Sequence, residues 1–240
     1  MIIIPARLAS TRFPNKILAN IHGLPMVIAT AKKVEHLDNV AIACDDEKVM
    51  YLAQDYGFKA IMTAKTHQSG TDRINEAASK LALHDDEIIL NVQADEPFIE
   101  ESVVQSVMKK AHTVSKETMI TSCYKKISAS QAKEPNLVKV IMDVHHNALY
   151  FSRSILPYDR DGGFSHYCGH LGIYGFRKKD LAHFCTLPYA PLEHIEKLEQ
   201  LRALYHGYKI AMVGVESESF GIDTPEDLER ALSFFKHASH

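Results

Sequence analysis

What this chain lacks narrows it first. No apolar run approaches the roughly 20 residues a membrane span requires, and no basic segment precedes a short apolar core, so neither a transmembrane helix nor a signal peptide is expected. Lys plus Arg number 27 against 30 Asp plus Glu, a formal charge of −3. Without a basic excess there is no electrostatic footprint for nucleic acid, and any anion binding must be local. The four cysteines, Cys44, Cys123, Cys168 and Cys185, form no C-x-x-C pair. That spacing argues against a zinc ribbon or a disulfide framework and suits a reducing, cytoplasmic setting. Neither G-x-x-x-x-G-K-[ST] nor G-x-G-x-x-G occurs, so P-loop hydrolysis and dinucleotide binding are both unsupported. No internal repeat is found.

What is present reads as an α/β protein. At 240 residues and 46% apolar content the chain can bury a substantial core, and it is expected to form a single domain over residues 1–240. The first half alternates β-branched runs with helical patterns, the signature of a mostly parallel sheet built from βαβ units. Expected strands are Met1–Ile4, Val40–Cys44, Ala60–Thr63 and Ile88–Gln93. Expected helices run from Pro25 to about Leu37, from Asp46 to Tyr56 with a stop at Gly57, and from about Thr71 to Leu83.

From about Thr118 the rhythm changes. Met119–Tyr124, Val138–Met142, Ala148–Phe151 and Leu171–Phe176 read as strands with little helix between them, which predicts a mixed or antiparallel extension over residues 118–206. Ser152–His170 carries Pro157, Gly162, Gly163 and Gly169 and is expected to be a long loop. A helix over Leu192–His206 follows, with Leu192, Ile195, Leu198, Leu201 and Tyr205 on one face as core or subunit interface. Lys209–Val215 reads as a strand. In Thr224-Pro225-Glu226-Asp227, Thr224 suits the N-cap, Pro225 the first helical position and Asp227 the capping-box acid of a last helix to about Phe235. Lys236–His240 reads as a frayed tail.

The chemistry concentrates at strand ends. The segment Pro5-Ala6-Arg7-Leu8-Ala9-Ser10-Thr11-Arg12-Phe13-Pro14-Asn15-Lys16 leaves the first strand carrying three cations, with Ser10 and Thr11 adding hydroxyl donors. Ligands of open α/β sheets bind at the carboxyl ends of strands, and Arg and Lys suit phosphate through a planar fork and a point charge. A polyphosphate fits this loop; the alternative is a solvated basic loop. In Asn91-Val92-Gln93-Ala94-Asp95-Glu96-Pro97, Asp95 emerges at the same edge, where it can hold a hard divalent cation; the alternative is that Asp95 or Glu96 caps the helix that follows Pro97. Asp223 stands one residue before an N-cap that Thr224 can supply alone. If the two acids meet, Asp95 and Asp223 can flank magnesium. His67-Gln68-Ser69-Gly70-Thr71-Asp72-Arg73 offers groups to a nucleobase or ribose, and reads equally as a turn with an N-cap. Asp45-Asp46-Glu47 reads as a helix start. The His166–His170 run, with His183 and Cys185, lacks the paired spacing of zinc ligands, and His170 reads as a hydrogen-bonding group just before a strand.

At these blocks the chain resembles the 3-deoxy-manno-octulosonate (Kdo) cytidylyltransferases, or CMP-Kdo synthetases. The resemblance runs from Ile4-Pro5-Ala6-Arg7 through Lys16, His67–Thr71, Asn91–Pro97, Ala148–Arg153, His170–Gly175, Leu192–Arg202 and Asp223–Leu228, in that order. It implies a Rossmann-like nucleotidyltransferase sheet, mostly parallel, with a smaller mixed sugar-binding and dimerisation extension, and a cytoplasmic homodimer without nucleic-acid or membrane partners. It implies the reaction of CTP with Kdo to give CMP-Kdo and pyrophosphate, on the way to bacterial lipopolysaccharide. Arg7, Lys16, Asp95 and Asp223 are then the implied catalytic set. Arg7, Arg12 and Lys16 hold the triphosphate, and Pro5, Ala6, Ser69, Gly70 and Arg73 surround the nucleoside. Asp95 and Asp223 bind magnesium, while Gln93, Arg153, His170, Tyr174, Glu199 and Gln200 form the sugar pocket, with Arg153 as the cation for the sugar carboxylate. Three positions depart from the family pattern: Ala94 replaces a glycine, and Asn15 and Ile17 stand where Gly and Lys are usual. A cytidylyltransferase for another acidic sugar is the nearest rival reading. A glycosyltransferase would show an Asp-x-Asp pair, whereas Asp95 is followed by Glu96-Pro97.

Overall fold

The computed structural model describes residues 1–10 and 12–235, so the expectations for Thr11 and for the Lys236–His240 tail lie outside the described residues. In chain order the elements are β1 (Ile2–Ala6), β2 (Asn20–Ile21), β3 (Leu24–Pro25), α1 (Met26–Val34), β4 (Val40–Cys44), α2 (Glu47–Asp55), β5 (Lys59–Met62), α3 (Gly70–Lys80), β6 (Ile88–Asn91) and α4 (Glu101–Thr113). There follow β7 (Thr118–Ile127), β8 (Lys139–Met142), β9 (Ala148–Ser152), β10 (Tyr167–Arg177), α5 (Lys178–Thr186), α6 (Pro191–Glu196), α7 (Leu201–Tyr205), β11 (Lys209–Gly214) and α8 (Pro225–Phe234).

Nine strands form one sheet, ordered β11-β7-β10-β6-β1-β4-β5, with the β8–β9 hairpin attached through β10; β2 and β3 form a separate small pair. The pairs β1–β4, β1–β6, β4–β5 and β7–β11 are parallel, and β10 runs antiparallel between β6 and β7. Alternation along β1 shows why both faces are covered. Ile2 and Ile4 pack with α1, α2 and α4 on one side, while Ile3 packs with α3, α5 and α7 on the other. Strands buried on both faces read as unbroken apolar runs, which is how β1 and β6 stand out in the sequence.

Several boundaries differ from the sequence reading, each for a physical reason. β1 continues through Pro5 and Ala6, paired to Ala43 and Cys44 of β4. Its pairing with β6 stops at Ile3, so proline sits where a missing N–H costs no bond on that side. Residues 118–127 and 167–177 are central strands of the main sheet, so only β8, β9 and the loop after them project as an extension. The expected helix over Leu192–His206 is broken: Lys197 takes a left-handed conformation at φ 54°, separating α6 from α7. Helix α4 begins at Glu101 with Glu100 at its N-cap, so neither Asp95 nor Glu96 caps it. Helix α5 and the β2–β3 pair have no counterpart in the sequence reading. The expected capping box of α8 is present, with the Thr224 side chain accepting from the Asp227 amide.

This topology sets the site. The parallel strands β1, β4 and β6 discharge their chains at one edge, which places Arg7, Asp45 and Gln93–Asp95 side by side. No described helix is long and apolar enough to cross a membrane.

Candidate active site

A cleft of about 260 Å³ opens at that edge. Its walls hold Pro5, Arg7, Arg12 and Lys16, then Ser69, Gly70 and Arg73, and lastly Gln93, Asp95 and Asp223. Ala6 is buried in β1 between Pro5 and Arg7. The loop after β1 closes on itself through a short helical turn at Lys16–Leu18, preceded by Asn15 at φ 55°. Glycine and asparagine are the residues that adopt this left-handed conformation most readily, which accounts for Asn15 at a position where the family pattern has glycine.

Lys16 is the centre of the site. Its Nζ lies 2.5 Å from Asp95 Oδ2 and 3.0 Å from Asp223 Oδ1, and Arg12 Nη2 reaches Asp223 Oδ2 at 3.1 Å. Burial alone would lower the Lys16 pKa, but the two carboxylates more than offset it and the value is raised. Burial would likewise raise Asp223, yet Lys16 and Arg12 hold it below the ordinary carboxylate range. The two acids are brought together by the backbone, since the Ile222 amide donates to the Asp95 carbonyl at 3.0 Å. The Thr30 hydroxyl donates to the Ala94 carbonyl at 3.0 Å and fixes the turn from beneath. Arg7 is exposed and has no ion pair or hydrogen bond to a described residue, which leaves it available to an anion.

The opposite wall is the N-terminus of α3. Ser69 caps it, accepting from the Asp72 amide at 3.1 Å. A Cβ at Gly70 would meet Pro5 Cγ at 3.1 Å, so glycine permits the close approach of α3 to β1. Arg73 lines the cleft but is itself 2% exposed, its guanidinium donating to Asp45 Oδ2 at 2.9 Å and Thr63 Oγ1 at 2.6 Å. It is thus anchored rather than free, a commitment that its place in the sequence motif did not reveal.

The remaining expected residues gather beyond this cleft. His170 lies inside β10, opposite Tyr124, and not before a strand. Its ring is 5.5 Å from that of Tyr174, whose hydroxyl donates to Gln200 Oε1 at 3.1 Å. Glu199 accepts from the Thr71 hydroxyl at 2.6 Å, which ties this cluster to the first turn of α3. Gln93 spans both groups: it lines the cleft and donates to Asn91 Oδ1 at 3.0 Å. The break at Lys197 has a use here, because Glu199 and Gln200 lie in the turn it creates. Among the described residues Asn91 Nδ2, Glu199 Oε2 and Gln200 Nε2 are buried without a hydrogen-bond partner. Unpaired polar atoms are costly inside a protein. Arg153 stands at the edge, its Nε donating to the Glu196 carbonyl at 2.8 Å and Nη1 to that of Pro135 at 3.1 Å, which leaves Nη2 uncommitted among the described residues.

Two groups at the site escaped the sequence reading. Glu96 lies beneath the Asp95–Asp223 pair, and burial, reinforced by the Asp95 charge, pushes its carboxyl up to about 8. Asp45 follows β4 as Arg7 follows β1, so the strand-end rule that picks out Asp95 would have found it; Asp46, in contrast, does cap α2.

His170 makes the cluster sensitive to acid. Burial depresses its pKa from 6.5 to about 3. The Ser122 hydroxyl lies 2.8 Å from both the Ile173 carbonyl and His170 Nε2; with its one proton given to the carbonyl it accepts from Nε2–H, and in the neutral ring that burial favours Nδ1 is then an acceptor. Between those two pKa values the unfolded chain binds more protons than the folded one, so stability falls as pH drops below 6.5. Over about pH 7 to 5 the His170 contribution is up to about 2 kcal/mol. Urea unfolding of wild type and His170→Gln across that window tests this: the variant should lose less stability on acidification, and identical pH slopes would refute the assignment.

A cytidylyltransferase family model matches residues 1–210. A 3-deoxy-manno-octulosonate cytidylyltransferase of Nitratiruptor sp. is 59% identical over 98% of this chain and 100% of its own. One from Wolinella succinogenes is 52% identical over 98% and 99%. Among solved structures, a CMP:2-keto-3-deoxy-manno-octonic acid synthetase complexed with CTP superposes with a TM-score of 0.92 at 36% identity, covering 99% of this chain and 98% of that one.

Proposed function

The chain belongs to the cytidylyltransferase family, and from that premise we propose that it activates Kdo with CTP, giving CMP-Kdo and pyrophosphate. The anomeric hydroxyl of the sugar attacks the α-phosphorus in line and pyrophosphate leaves, so the protein's work is positioning and charge neutralisation. The observation that carries the reading is the convergence of Arg7, Arg12 and Lys16 with Asp95 and Asp223 at one end of a cleft whose other wall is the capped start of α3. Arg7 and Arg12 grip the phosphates from the solvent side. Lys16 reaches them from between the two acids, and Pro5, Ser69, Gly70 and Arg73 enclose the nucleoside, with the buried Ala6 fixing the backbone between Pro5 and Arg7. The second cluster receives the sugar: Gln93, Tyr174, Glu199 and Gln200 meet its hydroxyls, neutral His170 offers an acceptor, and the free end of Arg153 faces its carboxylate.

The donor set also fits magnesium. Two carboxylates already converge on one positive centre, the Lys16 ammonium, and magnesium favours few protein carboxylates with the remainder from substrate and water. Asp95 and Asp223 would hold the ion, which would supply charge neutralisation for the phosphates and a lower pKa for the attacking hydroxyl.

The same reading makes the protein a cytoplasmic homodimer in lipopolysaccharide synthesis. The dimer is supported by large apolar side chains exposed around the extension: Leu149, Ile155, Tyr158, Tyr189, Leu192 and Ile195. Glu196 bonds Ser152 and the Arg153 amide, so α6 and the end of β9 form one continuous face. Large apolar side chains gathered on one face are a mark of interaction surfaces.

Three measurements test the proposal. Pyrophosphate release from the four ribonucleoside triphosphates, crossed with Kdo, its amino analogue and a nonulosonic acid, should be fastest for CTP with Kdo; a nonulosonic acid in first place would overturn the substrate assignment. Asp95→Asn should lower kcat by about 100-fold or more and weaken Mn²⁺ binding, with circular dichroism unchanged. Normal turnover in that variant would remove Asp95 from the metal site. For the dimer, Ile195→Asp should shift the mass seen by sedimentation from two chains to one, and a wild-type monomer at micromolar concentration would refute it.

A further inference from the structure

CTP binding at this cleft requires two separate chain segments to hold a fixed separation: the loop after β1, which carries Arg7, and the start of α3, which carries Arg73. We propose that Asp45 is the positioning residue for CTP, one carboxylate that sets the phosphate loop and Arg73 relative to each other. This rests on the reading of the cleft as the CTP site.

The topology places Asp45 between them. β1 and β4 are parallel neighbours with Ala6 opposite Cys44, so the next residue of β4 emerges beside Arg7. Among the described residues each Asp45 oxygen has one partner and a different duty. Oδ1 accepts from the Leu8 amide at 3.1 Å, which fixes the backbone directly after Arg7. Oδ2 accepts from Arg73 Nη2 at 2.9 Å. Arg73 Nη1 then donates to Thr63 Oγ1 at 2.6 Å, and Thr63 Oγ1 donates to the Cys44 carbonyl at 2.9 Å, next to Asp45 itself. The chain of contacts closes on its origin, linking the ends of β4 and β5 with α3 and the phosphate loop.

Burial argues that this pair serves geometry. The side chains of Asp45 and Arg73 are 8% and 2% exposed. Removing two charges from water costs several kcal/mol per ion, and apolar replacements of buried pairs are often neutral or stabilising. Fold stability alone is therefore a weak reason for an ion pair here. A fixed guanidinium is a strong one, because a planar fork anchored on one edge presents its remaining donors in a single orientation. Asp45 itself does not line the cleft, so it acts through Leu8 and Arg73 and touches no reacting atom.

The test is CTP binding by calorimetry without sugar, joined to steady-state kinetics in both substrates. Asp45→Asn keeps the size of the side chain and removes the charge. Its CTP dissociation constant and KM for CTP should rise by about tenfold or more, while kcat at saturating CTP and KM for Kdo stay within about threefold. In a cycle with Arg73→Lys, the double variant should be no more than about twofold worse for CTP than the poorer single variant, as expected of residues that act as a unit. Thr63→Val, a near-isosteric change, covers the case in which Asp45→Asn fails to fold; it should raise KM for CTP by about threefold or more and leave KM for Kdo unchanged. A variant with a lowered melting temperature and unaltered CTP affinity would make the pair merely structural and overturn the proposal. Wild-type protein that fails to bind CTP would instead refute the functional reading beneath it.

Discussion

Two carboxylates separated by more than half the chain are held against one ammonium, and the rest of the site depends on that meeting. Asp95 and Asp223 repel each other unless a cation lies between them, and Lys16 supplies it. Electrostatics alone would not fix their positions. The segment before Asp223 is strapped down first: Glu100 accepts from the Ser217 hydroxyl and the Glu218 amide at 2.7 and 2.8 Å, and Lys125 Nζ donates to the Ser219 carbonyl at 2.9 Å. The Ile222 amide then locks the strap to Asp95. Glu96 lies beneath, its carboxyl raised to about 8 by burial and the neighbouring Asp95, so at neutral pH it is mostly protonated and adds little to the negative charge that Lys16 and Arg12 must balance.

The two halves of the site are joined through the first turn of α3. Gly70 faces Pro5 in the cleft, and its neighbour Thr71 donates to Glu199 in the second cluster. A shift of this helix would therefore be felt at both ends. For a reaction in which the sugar oxygen must meet the α-phosphorus in line, a shared rigid element gives the right kind of coupling. The antiparallel insertion of β10 between β6 and β7 completes the arrangement, because it sets Tyr174 opposite Asn91 and so brings the second cluster to the strand that leads into Asp95. Close packing there is demanding: a Cβ at Gly175 would stand 2.4 Å from Thr121 Oγ1.

Much of this was legible in the sequence, for identifiable reasons. β4 announced itself with the expected limits because strands buried on both faces are continuous apolar runs, and the cap of α8 was legible because Thr, Pro and Asp each have one favoured place there. The strand-end rule found Arg7 and Asp95 and needed only to be extended to Asp45. What was hidden depended on contacts between distant segments. The stripe from Leu192 to Tyr205 has helical spacing throughout, yet Lys197 breaks it, because Glu199 and Gln200 bond to Thr71 and Tyr174 in the turn. The anchoring of Arg73 could not be read locally either, since its partners lie on β4 and β5. The start of β10 likewise depends on its neighbours: Tyr167–Leu171 pair with Cys123–Ile127 of β7, and that pairing carries His170 into a strand where composition suggested a loop.

The chemistry of the two clusters differs in a way that follows from solvent. At the phosphate end the charges stay partly wet, with Arg12 and Asp223 exposed by 61% and 45%, so they cost little to maintain and can exchange partners when an anion arrives. At the other end the groups are buried. Burial holds His170 uncharged and raises the Tyr174 phenol well above its usual range, with Glu199 adding to it; burial also raises Glu199. A buried surface with unpaired donors and acceptors discriminates by hydrogen-bond pattern, and an analogue lacking a matching hydroxyl leaves a polar atom stranded. On the proposed reading, burying a charge there is costly, so the substrate carboxylate belongs at the margin, where Arg153 is braced by two backbone carbonyls with Nη2 uncommitted among the described residues, and the order of the groups along the site would set which way round an acidic sugar lies against the nucleotide.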